Sequence, residues 1–326
     1  MERLIAIVNW QKPWRAHEVL DSLLNRSPTA PTDNTREFAY ACSFKTSTAS
    51  FYSNSFGNHV VCDARIDNRD DIIAGLNRPP TEVQSISNAE LILAAYRQWG
   101  DAVAEKIIGD FAFVIWDTTQ KRVYGARDPM NMRMLFYARI KDELCVASDI
   151  EALLKHPDYT PLLNKKTLAG WMGGWPDPDA SLFEGIECLP AGHFFSASAK
   201  SVKVKPFWDL DPNATLRYAD TGQYEEHLQS LLTQCVSDRL NGSDPIIASQ
   251  MSGGMDSTSV TALAHKSLQT QDRSLMVISH SYADTENCDE TDPIKETATH
   301  LGLGEPNWLA AEQHVDLDFR ELYPPV

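Results

Sequence analysis

The sequence predicts two unlike folds in series: an α+β region of antiparallel character, then an α/β region built on a parallel sheet. Three observations carry that expectation. Short apolar runs and helical patterns alternate closely through the first two hundred residues. From Gln223 onward, longer helical patterns alternate regularly with single strands, the mark of a parallel sheet covered by helices. Between the first such strand and its helix, at 246–258, lies a glycine pair flanked by hydroxyls and a carboxylate.

In the first region, residues 1–205, strands are expected at Leu4–Trp10, Val60–Asp63, Phe111–Trp116, Arg122–Ala126 and Leu144–Ser148. A helix is expected at Ala89–Trp99, where Leu91, Ile92, Ala95, Tyr96 and Trp99 recur on one face, and another near Ile150–Lys155. Residues 206–222 carry two prolines and no periodic pattern, and read as a connector. The second region, 223–326, opens with a helix from Gln223 to Leu240 whose Leu228, Leu231, Leu232, Val236 and Leu240 should face inward. After the glycine pair come a strand at Leu275–Ser279, a helix at Pro293–Leu301 and a strand at Trp308–Ala310. Asp292 suits the N-cap of that helix with Pro293 at its first position, and Gly302 suits its end. Parallel sheets of this class usually have about five or six strands, so the second region reads as the first half of a domain.

The segment Ile246 to Thr258 carries the chemistry. An apolar run feeds Ser252-Gly253-Gly254-Met255-Asp256-Ser257-Thr258, and Val260, Leu263, Ala264 and Leu268 continue at helical spacing. Paired glycines allow turn angles closed to other residues and let a ligand approach the main chain. The N–H groups of the turn and of the first helical turn then converge where the helix dipole favours an anion. Ser252, Ser257 and Thr258 add hydroxyl donors, and Asp256 offers a hard oxygen suited to Mg²⁺, a role compatible with capping the helix. A Walker-type loop would need Gly-Lys-Ser/Thr, which is missing. The pattern suits a polyphosphate.

Composition narrows the field. Hydrophobic content of 43% and charged content of 23% are those of a soluble globular protein, and no apolar run approaches a membrane span or a secretory signal. The six cysteines are scattered without a Cys-x-x-Cys pair, and the nine histidines lack His-x-x-x-His spacing. Structural zinc, a disulfide framework and a histidine metal site are not expected, and a reducing cytoplasm fits best. A net charge of −16 without a dense Lys/Arg cluster argues against a nucleic-acid partner.

These residues resemble the asparagine synthetase family over nearly the whole chain. Ser252-Gly253-Gly254-Met255-Asp256-Ser257-Thr258 is close to the family's Ser-Gly-Gly-Leu-Asp-Ser-Ser loop, and Asp289-Glu290 precedes a helix ending His300-Leu301-Gly302 as the family's pattern does. Upstream, Gly109-Asp110-Phe111-Ala112-Phe113-Val114-Ile115-Trp116-Asp117, Ala126-Arg127-Asp128, Leu135-Phe136-Tyr137, Ala147-Ser148-Asp149-Ile150 and Leu189-Pro190-Ala191-Gly192-His193 are similar to its glutaminase-type domain. The resemblance implies an Ntn-hydrolase-like, class II amidotransferase-type domain over 1–205, with antiparallel sheets sandwiched by helices. The first half of an ATP-pyrophosphatase domain should follow over 223–326. It implies ATP and Mg²⁺, with Asp256 as metal ligand and 252–258 holding the phosphates that leave as pyrophosphate. Ile278, at the end of the next strand, has two readings, lining the adenine or serving as an ordinary core residue, and the second is preferred.

The departures matter as much. Glutamine-using members place a cysteine directly after the initiator Met; here it is Glu2, which offers no thiolate for amide cleavage. The family's Asn-Gly oxyanion pair falls on Asp63-Ala64, where a carboxylate repels a developing oxyanion, and its glutamine-binding Asp falls on Asn88. Asn131 and Met134 replace the usual Gly and Pro. The resemblance then implies an adenylating ligase without glutaminase activity, similar to β-lactam synthetases and lasso-peptide cyclases. In these, a carboxylate substrate, a precursor peptide in the second case, is joined to an amine of the same molecule. Two rival expectations stay open. One is an asparagine synthase using glutamine or ammonia to make asparagine from aspartate. The other is a non-catalytic remnant that binds ATP or a partner protein, because the family's later catalytic loops lie beyond this sequence and the chain alone should be inactive.

Overall fold

The computed structural model describes residues 3–24, 38–43, 49–76, 86–240, 246–282 and 289–310. The chain divides into two compact units, Met1–Asn213 and Ala214–Val326.

The first unit carries strands β1 (Arg3–Asn9), β2 (Phe38–Ser43), β3 (Ala49–Ser53), β4 (His59–Ile66), β5 (Gly109–Asp117), β6 (Arg122–Arg127), β7 (Phe136–Ile140), β8 (Glu143–Ala147), β9 (Ile186–Cys188), β10 (His193–Ala197) and β11 (Val202–Pro206). They form two antiparallel sheets, ordered β2-β1-β8-β7-β9 and β11-β10-β6-β5-β4-β3. Its helices are α1 (Pro13–Leu24), α2 (Arg69–Gly75), α3 (Asn88–Trp99), α4 (Val103–Lys106), α5 (Ile150–Leu154) and α6 (Lys165–Met172).

The alternation of side chains across each strand builds four layers. On β5, Ala112, Val114 and Trp116 meet Leu4, Ala6 and Val8 of β1 between the sheets, while Phe111, Phe113 and Ile115 face α3 through Leu91, Ile92, Ala95 and Tyr96. On β1, Ile5 and Ile7 turn the other way, toward Ala16, Val19 and Leu20 of α1 and Leu153 of α5. Each Val, Leu, Ile or Phe fully buried in this way contributes about 1.5–3 kcal/mol of transfer free energy. Both faces of both central strands are therefore apolar, which is why the sequence shows continuous hydrophobic runs there. Gly109 starts β5 at φ +146°, and a Cβ there would stand 2.0 Å from the Arg65 carbonyl oxygen, so only glycine fits. Ser87 caps α3 by accepting from Glu90 N at 3.2 Å, and Asp149 caps α5 through Glu151 N at 2.9 Å. Pro206 closes edge strand β11 instead of opening the connector, a place where a residue without an N–H is tolerated.

The second unit carries α7 (Thr221–Leu240), β12 (Ile247–Gln250), α8 (Met255–Gln269), β13 (Leu275–Ser281), α9 (Thr291–Leu301) and β14 (Asn307–Ala310). Its strands are parallel in the order β12-β13-β14, as expected from the alternating pattern. Val236 and Leu240 pack with Ala264 and Leu268, and Met251, Val277, Ile294 and Ala298 form a second small cluster.

Two expectations are corrected here. Leu228, Leu231 and Leu232 are 59%, 51% and 39% exposed, so only the C-terminal end of α7 is buried. Helical spacing marks one face but not how much of its length a neighbour covers. The second correction concerns α9, which begins at Thr291, so Asp292 lies inside its first turn and cannot be the N-cap. Glu290 holds the N-cap position without a side-chain cap bond, and Asp289 just before it accepts from Thr291 N at 3.3 Å and from Thr291 Oγ1 at 2.5 Å. Gly302 ends the helix in the left-handed conformation, as predicted.

Candidate functional site

The loop joins the end of β12 to the start of α8. Met251 is fully buried, and its N–H donates to the Ile278 carbonyl at 3.0 Å, which anchors the loop to β13. Gly253 takes φ +84°, and a Cβ added there would stand 3.1 Å from the Glu290 Cβ and 3.3 Å from its Oε2. Gly254 occupies the N-cap position and has no side chain to satisfy the helix start. The first N–H groups of α8 therefore point toward the loop without intrahelical acceptors. Asp256 is in the first helical turn, so it is not the cap, and it is exposed beside those donors.

The hydroxyls divide their work. Ser257 Oγ accepts from Ser252 N at 3.0 Å and lies 3.0 Å from Ser252 Oγ, bracing the turn from inside. Thr261, fully buried below, receives Ser249 at 2.8 Å and donates to the Ser257 carbonyl at 2.8 Å. Thr258 N starts the helical ladder by donating to the Gly254 carbonyl at 3.2 Å. Its Oγ1 is shielded from solvent and has no hydrogen-bond partner among the described residues. Ser279 Oγ, fully buried near the end of β13, is in the same state, and sequence reasoning gave no hint of it. A glycine cradle, open helix donors and an orphaned hydroxyl fit a phosphate chain, and the exposed Asp256 carboxylate beside hydroxyl oxygens is a donor set for Mg²⁺.

In the first unit the departures from the family pattern are held by other protein groups. Asp63, on β4, lies 3.2 Å from Arg133 Nε. Asn88 Nδ2 donates to the Ala64 carbonyl at 2.6 Å, while its Oδ1 accepts from Arg69, whose other nitrogen donates to the Ile86 carbonyl at 2.8 Å. Burial lowers the Arg69 guanidinium from its ordinary value. Glu2 lies outside the described residues. The Arg127-Asp128 pair proves structural. Arg127 is fully buried and donates to the carbonyls of Leu189 (2.6 Å) and Arg133 (2.7 Å). Asp128 accepts from the N–H groups of Met130 (3.0 Å), Met132 (3.0 Å) and Arg133 (2.9 Å). Asn131, at the crest of that turn, takes φ +61°, a conformation Asn accepts more readily than other non-glycine residues.

Among the described residues one trio could be taken for a metal centre: Glu143, Cys145 and His156, all buried on the α1 side of the first unit. Its hydrogen bonds argue otherwise. His156 Nε2 lies 3.0 Å from Glu143 Oε2, and His156 Nδ1 accepts from Asp158 N at 3.2 Å, so the proton sits on Nε2. A metal on Nε2 would force a proton onto Nδ1, against the Asp158 N–H. Burial pushes the Cys145 thiol up, away from thiolate. Burial also raises Glu143, yet hydrogen bonds from His156 and Asn9 and the nearby Arg15 outweigh it and hold its carboxyl below the usual range. Glu143 and His156 belong to a closed hydrogen-bond network that Arg15 completes by pairing with Glu143 at 3.1 Å.

The fold and loop define a class: an amidotransferase-type layered unit followed by a parallel-sheet unit with a glycine loop leading into a helix start. Comparison with known proteins makes the class specific. A family model described as a glutamine amidotransferase domain matches residues 45–208, and one described as asparagine synthase matches residues 227–316. The chain belongs to the asparagine synthetase family. It is similar to an asparagine synthetase [glutamine-hydrolyzing] 3 of Bacillus subtilis, 26% identical over 63% of this chain and 33% of that one. It is likewise similar to the amidase chyE of Penicillium rubens, 29% identical over 70% of this chain and 34% of that one. The matched part is thus about a third of the length of these relatives. Among solved structures, an allosteric regulatory enzyme of purine biosynthesis aligns with 94% of this chain and 80% of its own at 11% identity and a TM-score of 0.40, a likeness too slight to bear on the fold. No helix among the described residues is long and apolar enough to cross a membrane.

Proposed function

We propose that the chain is the nucleotide-binding part of an ATP-dependent, amide-forming ligase that activates a substrate carboxylate and joins it to an amine of the same molecule. The carboxylate oxygen bonds to the α-phosphorus of ATP and pyrophosphate leaves; the amine then displaces AMP. The observation that carries this reading is the loop at 252–258, with its glycine cradle, open helix donors and orphaned Thr258 hydroxyl. Main-chain N–H groups at Gly253, Gly254 and Met255, with Ser252 and Thr258, hold the leaving phosphates, while Ser257 keeps the turn in shape. Mg²⁺ on Asp256 would neutralise the charge that builds on pyrophosphate.

The first unit supports the intramolecular amine over glutamine-derived ammonia. Asp63 faces Arg133, and Asn88 is bonded to Ala64 and Arg69, so neither position is arranged to receive a glutamine amide. An amine in the same substrate needs no ammonia source, because covalent tethering supplies its effective concentration.

Titrating the full chain with ATP and Mg²⁺ tests the reading. Wild type should bind, and Asp256→Ala should bind about 10- to 100-fold more weakly, as expected for one charged contact. Equal affinities would remove its basis. Glutamine supplied to the protein should yield no glutamate; release of glutamate would return the chain to the glutamine-hydrolysing members of its family.

A further inference from the structure

In the first unit, the segment Trp171-Met172-Gly173-Gly174-Trp175-Pro176-Asp177-Pro178-Asp179 is exposed at every position, yet its backbone is tied down. Helix α6 ends there in a glycine-closed turn. Gly174 takes φ +78° and its N–H donates to the Trp171 carbonyl at 3.2 Å, while the Trp175 N–H reaches back to the Gly170 carbonyl at 2.9 Å. These are the two hydrogen bonds of a Schellman helix end. Downstream, Asp177 Oδ1 accepts from Asp179 N at 3.0 Å and the Asp177 carbonyl accepts from Ala180 N at 3.3 Å. Pro176 and Pro178 each fix a φ angle between these anchors.

A Schellman end commonly packs its last residue on a side chain one turn back. Here that last residue is Trp175, and the position it would pack on is Gly170, which has no side chain. A Cβ on Gly170 would stand 2.9 Å from the Trp175 carbonyl oxygen. Trp175 is left 87% exposed, beside Trp171 at 59% and Met172 at 82%. Together they present roughly 400 Å² of largely apolar surface, the size at which a patch marks an interaction site. A standard protein–protein interface takes about 800 Å² from each partner, so this patch suits a short peptide better than a second folded copy.

Charge and ring chemistry narrow the choice of peptide. Asp177 and Asp179, both exposed, follow Trp175 so closely that even a fully extended chain puts them within about 7 and 14 Å of it. Lys165 and Lys166, the only cations of α6, sit at its other end, about 9 Å away along the axis. The two carboxylates disfavour an anionic lipid surface and favour a cationic partner, which a net charge of −16 also draws in. An indole face attracts arginine or lysine. Elsewhere in this unit the chain's own arginines occupy aromatic faces: Arg139 stands over Trp10 at 5.5 Å and Arg97 over Phe56 at 4.3 Å. Among the described residues, no cation stands over Trp171 or Trp175.

We propose that Trp171, Met172 and Trp175 form a docking surface for an extended segment of a separate peptide chain. Its apolar side chains cover the exposed rings, and its arginine or lysine side chains pair with Asp177 and Asp179. The surface is independent of the nucleotide loop. Anisotropy titration of a labelled peptide of Arg-Leu-Gly repeats with the full chain tests it. Wild type binds this peptide and not its Glu-Leu-Gly counterpart. Trp175→Ala weakens binding about tenfold, as for a truncated anchor residue, and leaves the unfolding midpoint unchanged because the ring is exposed. Asp177→Asn with Asp179→Asn weakens it about threefold and flattens its dependence on salt. The surface is overturned if Trp175→Ala binds as wild type does, if the acidic peptide binds equally well, or if neither peptide binds. A wild-type dimer in sedimentation that Trp175→Ala dissolves would also overturn it, assigning the rings to a second copy of the chain.

Discussion

In the first unit, the side chains at the positions a glutamine-cleaving site would use are engaged by their neighbours: Asp63 by Arg133, Asn88 by Ala64 and Arg69. In the second unit, the loop after β12 keeps helix N–H groups open and a shielded hydroxyl, Thr258 Oγ1, without a partner. The first arrangement stabilises the fold, and the second, on the proposed reading, forgoes some stability to leave room for a ligand. Family membership alone would have assigned a ligand site to both.

Paired substitutions can break the comparison. Gly253→Ala meets both a left-handed backbone and the Glu290 Cβ at 3.1 Å, so it should cost about 1–3 kcal/mol of local strain and most of the ATP affinity, read by titration. Asn88→Ala should leave ATP affinity intact and lower the stability of the first unit by about 1–2 kcal/mol in denaturant unfolding, because the Ala64 carbonyl loses its donor. Loss of ATP affinity in Asn88→Ala would erase the distinction.

A smaller effect probes the closed network around Glu143. Its carboxyl is depressed in the folded state, so its stabilisation is complete above the unfolded value of about 4.3 and fades as pH falls through the folded value. Glu143→Gln should therefore lower the Tm by roughly 2–4 °C at pH 7, and the gap to wild type should close on acidification below about pH 4. A gap that widens in acid would contradict the network. The smallest effect is expected at Leu231, half exposed on α7, where Leu231→Lys should change stability by less than about 0.5 kcal/mol, whereas Leu240→Ala should cost about 2 kcal/mol or more.

The sequence made some of this legible and hid the rest for physical reasons. β5 and α3 could be read directly, because Phe111 to Trp116 is apolar on both faces and Leu91 to Tyr96 recurs at helical spacing. The loop was legible because a strand, a glycine pair and a helix are adjacent in the chain. The start of α9 was misplaced because Asp292 before Pro293 has the chemistry of a cap, and only the backbone path shows that the helix begins earlier, at Thr291, with Glu290 in the N-cap position. Helix α1 and strand β2 carry no clean pattern that the sequence reading recognised. Gln250 with His280, and Glu143 with His156, meet through strand register and chain return, which a single sequence does not encode locally.

Glu290 has an electrostatic consequence. Its Oε2 would stand 3.3 Å from a Cβ added to Gly253, so on the proposed reading a polyanion in the loop meets the charge of Glu290 as well as that of Asp256. The summed field there is tolerable only with a divalent counterion in place. Occupancy should therefore follow free magnesium concentration far more steeply than it follows ionic strength.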